Sequence, residues 1–308
     1  MATLAAARNS TIVRNIRFAL LRACFALGSW LRPTATLRRA WRLFCTPLSI
    51  TRRRALATDI GGATLGSLAI GGEQVAVYTW GDPSRQPYVL LAHGWSSHAT
   101  RFLAWIAPLR AAGYAIVGFD QVGHGRSSGR RTTLPDFAAV LAEVARRHGP
   151  AAAVIGHSLG GAAATLALAD GVAAERAILV APAADPLDAA SRFGRFVGLA
   201  EYLRSHLFDE YEAKHPLRVA SLQAHLKAPA IACPALVVHD LDDREVPWAE
   251  GERYARHWPA ARLLTTTGLG HHRVVDDAAV IDGALRFLRG ETVGERVVSS
   301  PNLPYGFC

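Results

Sequence analysis

Apolar positions along this chain follow two rhythms. From about residue 75 onward, short and nearly continuous apolar runs alternate with segments in which apolar residues recur every three or four positions. The runs read as buried strands at 75–80, 88–93, 114–120, 152–157, 176–182, 234–239 and 261–267. The periodic segments read as helices at 99–112, 134–148, 159–170, 248–257 and 276–288. Pro135 opens the second of these, where its missing N–H leaves no helical bond unmade. A glycine-rich stretch at 61–72 leads into the first strand, and Gly81-Asp82-Pro83 reads as a turn. Strands apolar on both sides require cover on both faces, so the expected class is α/β with a doubly wound, mostly parallel sheet. Residues 187–229 carry a helical pattern and no strand. They are too many for a simple connection and are expected to form a small helical cap over the carboxyl edge of the sheet.

The first 58 residues are of another kind. At about 100° per residue, Ile12, Val13, Ile16, Leu20, Leu27 and Leu31 share one side of a helix, and Arg14, Arg17 and Arg22 share the other. Pro33 should end this helix, and a shorter one fits 37–44 before Pro47. The net charge of +9 belongs to this arm. It holds eleven arginines and no carboxylate, leaving 23 of the 34 basic residues against all 25 acidic ones. The expected division is therefore a basic amphipathic arm at 1–58, a main domain at 59–290 carrying the 187–229 insertion, and a tail at 291–308.

Several readings of the arm stand open. Its apolar stripe packs on the body while the arginines face water, or it lies on anionic lipid with Phe18, Phe25 and Trp30 near the headgroups. An Arg-rich, acid-free segment also fits a transit peptide, whereas Arg22 splits the apolar stretch that a signal peptide needs. No run reaches the roughly 20 apolar residues of a membrane span. The body offers no basic face, so no nucleic-acid partner is expected. Cys24, Cys45, Cys233 and Cys308 are too scattered for a disulfide framework or a metal site and suit a reducing, cytoplasmic compartment. No metal and no other cofactor is expected.

Two segments match Gly-x-Ser-x-Gly. The one at 125–129, around Ser127, follows a polar loop and runs into Arg130-Arg131. The other, at 156–160 around Ser158, follows an apolar run and opens into an Ala-rich helix. Only the second has the strand–turn–helix setting that puts a serine on a strained elbow above a sheet. Glycine two residues to either side avoids a Cβ that would crowd the neighbouring strand and helix.

With these residues the chain resembles the α/β-hydrolase fold superfamily, in its single-domain esterase and lysophospholipase-like form, over about residues 73–290. Leu90-Leu91-Ala92-His93-Gly94-Trp95 is similar to the family's His-Gly oxyanion loop. Asp120-Gln121-Val122-Gly123-His124-Gly125-Arg126-Ser127 is similar to its Asp-x-x-Gly-His-Gly-x-Ser loop, which makes the Ser127 match structural. The resemblance implies Ser158 as nucleophile, Asp243 of an Asp-x-x-Val-Pro pattern as the acid, and His271 of Gly-x-Gly-His as the base. Asp240 stands where the family has glycine, so Asp240 and Asp242 remain alternatives for the acid, as does Asp185. His272 is expected to pack, and His93, His98, His124, His157 and His239 to be hydrogen-bonded structural residues. The implied oxyanion donors are the backbone N–H groups of Trp95 and Leu159.

The resemblance thus implies hydrolysis of a small-molecule carboxylic ester through an acyl-enzyme. Thioester, amide and C–C bond hydrolysis, and acyl transfer, use the same triad and stay open. A non-catalytic, ligand-binding reading is the rival of another class. The 187–229 insertion has six basic and five acidic residues and does not demand a charged substrate.

Overall fold

Strands in the middle of a doubly wound sheet touch neither water nor an edge, and β3 (Tyr88–Ala92), β4 (Ala115–Phe119), β5 (Ala153–His157), β6 (Ala177–Val180) and β7 (Ala235–Asp240) are buried along their whole length. A computed structural model describes the backbone of residues 2–298 and the side chains of 15–298. Cys308, the last part of the expected tail, and the side chains of Ile12, Val13 and Arg14 lie outside the described residues.

Among the described residues, eight strands form one sheet in the order β1-β2-β4-β3-β5-β6-β7-β8, closed at its ends by β1 (Thr64–Ile70), β2 (Glu73–Trp80) and β8 (Ala261–Thr266). All pairs from β4 through β3 to β8 are parallel, and β1 and β2 join antiparallel. β1 falls in the stretch expected to be a glycine-rich lead-in. It is an exposed edge strand and so lacks an apolar alternation. Gly71 and Gly72, with φ of 57° and 82°, turn it into β2, a conformation of the hairpin type that favours glycine.

Helices cover both faces. The arm gives α1 (Ala2–Leu31), α2 (Pro33–Phe44) and α3 (Ser49–Ala57). The sheet's own helices begin with α4 (Leu103–Ala111), α5 (Leu134–His148) and α6 (Leu159–Ala169). The inserted ones are α7 (Pro186–Val197), α8 (Glu201–Arg204) and α9 (Asp209–Lys214). The last are α10 (Ala224–Lys227), α11 (Trp248–His257), α12 (Gly270–Asp276) and α13 (Ala278–Leu288). One face of the sheet buries Val89, Leu91, Ile155, Ile178 and Val238 against Trp105 of α4 and Phe287 of α13. Alternate residues of the same strands face the other side, where α6 lies against β3, β5 and β6 and α11 against β7 and β8. At the start of α5, Thr133 and Asp136 form a capping box that satisfies the first free N–H groups.

The chain divides into two compact units. One comprises the residues up to Thr46 with Pro186–Ser221, and the other Pro47–Asp185 with the chain from Leu222 on. These boundaries differ from an arm at 1–58 and an insertion at 187–229. The reason is that α1 and α2 share a core with the inserted helices: Phe25 and Ala40 with Val197, Leu203, Leu207 and Phe208. Trp41 meets Phe208 edge-on at 5.7 Å, and Phe44 meets Phe193 at 5.2 Å. By contrast α3 belongs to the sheet unit, where Arg52 donates to Ser127 O (2.6 Å) and Gly129 O (3.1 Å).

Candidate active site

The turn between β5 and α6 is held by steric necessity. Ser158 has φ 54° and ψ −122°, a left-handed conformation that a residue with a Cβ adopts only under constraint. Its N–H donates to Val180 O at 3.0 Å and its C=O accepts from Gly161 at 2.9 Å. A Cβ at Gly156 would lie 2.6 Å from Gly160 O, and one at Gly160 would lie 2.2 Å from Ala92 O. Only glycine fits at either place, and the half-exposed Ser158 side chain emerges between them.

Gly94, just beyond β3, comes so close to this turn that its Cβ would sit 2.9 Å from Ser158 Cβ. Two buried histidines brace the loop. His93 donates Nδ1–H to Gly94 O (2.7 Å) and accepts from Gln121 N–H at Nε2 (3.0 Å). His124 donates Nδ1–H to Val122 O (3.0 Å) and accepts from Ser96 N–H at Nε2 (3.0 Å). Each ring is thereby a neutral tautomer, and burial pushes both pKa values down to about 3. Ser96 takes a φ of 51°, and its Oγ accepts from Leu48 N–H at 3.0 Å, so the segment leading into α3 steadies the same loop.

His271, buried at the start of α12, donates Nδ1–H to Asp243 Oδ2 at 2.7 Å. The other carboxylate oxygen accepts from Glu245 and Val246 N–H at 2.9 Å each. Burial raises the pKa of Asp243, but the bonds from His239 and His271 outweigh it and hold the carboxyl well below the usual carboxylate range. The histidine loop is tied to the serine turn by His157, which donates Nε2–H to His271 O at 3.1 Å while the two rings lie 4.8 Å apart.

The alternative acids go elsewhere. Asp240, fully buried, accepts from Gly270 N–H (2.9 Å), Leu269 N–H (3.1 Å), Asp242 N–H (3.0 Å) and Thr266 Oγ1 (2.7 Å). Asp242 accepts from Gly268 N–H at 2.7 Å. Both thus hold the loop that carries His271. Asp185 accepts from Gln223 Nε2 at 2.5 Å and lies 3.9 Å from the Arg253 guanidinium. Ser127 Oγ donates to Asp120 O (2.6 Å) and accepts from Ala76 N–H (2.9 Å), bonds that pin its loop to itself and to β2.

One histidine, His272, departs from expectation, and another, His239, is hydrogen-bonded as expected but beside the acid. His272 does not pack; it is exposed and donates to Glu245 Oε1 at 2.7 Å, which raises its pKa. His239, buried in β7, places Nε2 2.9 Å from Val246 O and 3.4 Å from Asp243 Oδ2, so the carboxylate faces two imidazoles. Arg101 also escaped the sequence reading: it pairs with Asp276 at 2.6 Å and donates to His272 O, clamping α12. No group of His, Cys, Asp and Glu among the described residues is disposed to hold a metal ion.

Sheet order, serine elbow and buried Asp–His pair together define an α/β-hydrolase fold. Solved structures share it. The thioesterase domain from the curacin biosynthetic pathway is 22% identical, with 74% of this chain and 99% of that chain covered at a TM-score of 0.55. A putative lipase from Acinetobacter baumannii AYE is 18% identical, covering 79% of this chain and 95% of that one at 0.59. A family model described as serine aminopeptidase, S33, matches residues 83–225. Monoacylglycerol lipase of Mycolicibacterium smegmatis is 34% identical over 102 residues, 30% of this chain. The match spans 36% of that protein, about a third of its length. The chain thus has the α/β-hydrolase fold and is similar, over part of its length, to esterases and lipases.

Proposed function

We propose that the protein hydrolyses small-molecule carboxylic esters through an acyl-enzyme on Ser158. The observation that carries this reading is the 2.7 Å bond between the buried His271 and Asp243, tied through His157 to a serine on a strained elbow. Ionised Asp243 is an acceptor only, so Nδ1 of His271 carries the proton and the Nε2 lone pair is available. His271 takes the Ser158 proton as Oγ attacks the ester carbonyl. The N–H groups of Trp95 and Leu159 receive the oxyanion; Leu159 opens α6, where an N–H has no intrahelical acceptor. The tetrahedral intermediate collapses, the C–O bond breaks, and His271 returns the proton to the leaving alcohol. Water, deprotonated by the same ring, then attacks the acyl carbonyl, and Ser158 is released with the carboxylic acid.

Similarity to a monoacylglycerol lipase favours an ester over the thioester, amide and C–C alternatives. As part of the proposal the protein is cytoplasmic and peripherally membrane-associated, a reading that the eleven arginines and no carboxylate of its arm favour. The test is turnover of a series of activated esters of increasing chain length by the purified protein. Cleavage that depends on Ser158 and varies with acyl length supports the reading; inertness toward every ester overturns it.

A further inference from the structure

The first helix leaves its apolar stripe uncovered. At about 100° per residue, Ile16, Leu20, Leu27 and Leu31 fall within roughly 60° of one another, with Trp30 beside them. These side chains are 53% to 74% exposed. The opposite side of α1 makes the protein contacts: Phe25 is buried, and Ser29 Oγ donates to Phe25 O (2.7 Å) and accepts from Ala200 N–H (3.2 Å). Arg22, on this packed side, donates to Arg195 O (2.8 Å) and Phe196 O (2.5 Å), carbonyls in the last turn of α7. Of the open readings of the arm, the one in which this stripe packs on the protein does not hold for Ile16, Leu20, Leu27, Trp30 and Leu31.

Charge decides what covers it. The arm has eleven arginines and no carboxylate; Arg17, Arg39 and Arg42 are exposed, while Arg38 pairs with Glu210 at 3.3 Å. A second copy meeting the first along this stripe would bring the same cations together with no anion in either arm. An anionic lipid surface supplies both an apolar phase and the opposite charge. At the end of the stripe the Trp30 ring lies 5.3 Å from Tyr202, whose hydroxyl donates to Ser29 O; such amphipathic rings suit the level of lipid headgroups. No helix among the described residues is long and apolar enough to cross a membrane, so the stripe, about 22 Å long, would lie in the plane of the interface.

We propose that the unit formed by α1, α2 and the inserted helices docks on anionic membrane through this stripe. Resting on the ester reading above, the substrate class is then a long-chain acyl ester presented by a bilayer. Three chain crossings, at Thr46–Pro47, Asp185–Pro186 and Ser221–Leu222, join the docked unit to the one that carries Ser158.

The experiment is co-sedimentation of the full chain with vesicles of phosphatidylcholine, with and without phosphatidylglycerol. Leu20→Gln/Leu27→Gln/Trp30→Gln is compared with Leu65→Gln, an exposed apolar residue of β1. The wild type and Leu65→Gln should sediment only with anionic vesicles and be released by salt, since the Debye length falls from about 10 Å at 0.1 M to about 3 Å at 1 M. The triple variant should bind at least about tenfold more weakly. It should hydrolyse a long-chain monoacyl ester in anionic vesicles correspondingly more slowly, yet turn over a soluble short ester at the wild-type rate. Equal sedimentation of the triple variant, a wild type that ignores anionic vesicles, or a vesicle-free dimer that the triple variant lacks would each overturn the docking proposal. Failure to cleave any ester strikes the proposed activity, while sedimentation decides docking separately.

Discussion

At the scale of single residues, the acidic turn after β7 divides its labour. Asp243 receives His271, whereas Asp240 receives three backbone N–H groups and one hydroxyl around the histidine loop. Asp243→Asn should lower kcat about 10⁴-fold by admitting the wrong tautomer, with the fold retained. Asp240→Asn turns an NH2 group toward buried N–H donors. It should cost about 2 kcal/mol of stability and lower kcat through loss of loop order, measured by urea unfolding and steady-state kinetics. Equal effects on kcat from both, with unchanged stability, would contradict the division. The Asp-x-x-Val-Pro pattern pointed to Asp243, and Asp240 was visible only as a departure from glycine. Its distant partners are the Leu269 and Gly270 amides, 29 and 30 residues away, and the Thr266 hydroxyl, 26 away, contacts to which no motif refers.

His93 and His124 give the same scale a pH dependence. Their folded pKa values near 3 lie below the ordinary value of 6.5, so in acid the unfolded chain takes up protons that the folded one refuses. Stability is full above about pH 7 and is lost as pH falls toward 3. Between pH 7 and pH 5 each histidine should remove up to about 2 kcal/mol, read as a falling urea midpoint. A flat midpoint over that interval would mean that these rings are not held neutral.

Among the elements, the β5–α6 elbow and α1 show what a pattern carries and what it does not. Gly-x-Ser-x-Gly is legible because the clash it avoids is local: a Cβ at Gly160 meets Ala92 O at 2.2 Å. Gly160→Ala should therefore shift β3 against α6, cost roughly 1–3 kcal/mol and sharply reduce turnover. Gly66→Ala in the exposed β1, whose Cβ would come no closer than 3.9 Å to its nearest neighbour, should cost less and spare activity. The orientation of α1 was not legible. Phe25 and Leu21 make its second side apolar too, and a helical wheel does not say which side finds a partner. β1 escaped for a related reason, since an exposed edge strand has no buried face to mark it.

For the whole molecule, the parallel sheet could be read from its continuous apolar runs, but the union of arm and insertion could not. Trp41 and Phe208 meet through packing between segments that share no motif. A chain beginning at Pro47 would uncover Phe193, Phe208 and Tyr211, which contact Trp41 and Phe44. It should bind a hydrophobic dye and aggregate at lower temperature than the full chain.

The central claim, an acyl-enzyme on Ser158, is tested most directly by mass spectrometry of the protein after reaction with a fluorophosphonate probe. One adduct is predicted, on the peptide containing Ser158. It should be absent from Ser158→Ala, which should lose up to about 10⁶-fold in kcat, and present in a Ser127→Ala variant that still folds. An adduct on Ser127, or hydrolysis undiminished in Ser158→Ala, would contradict the account.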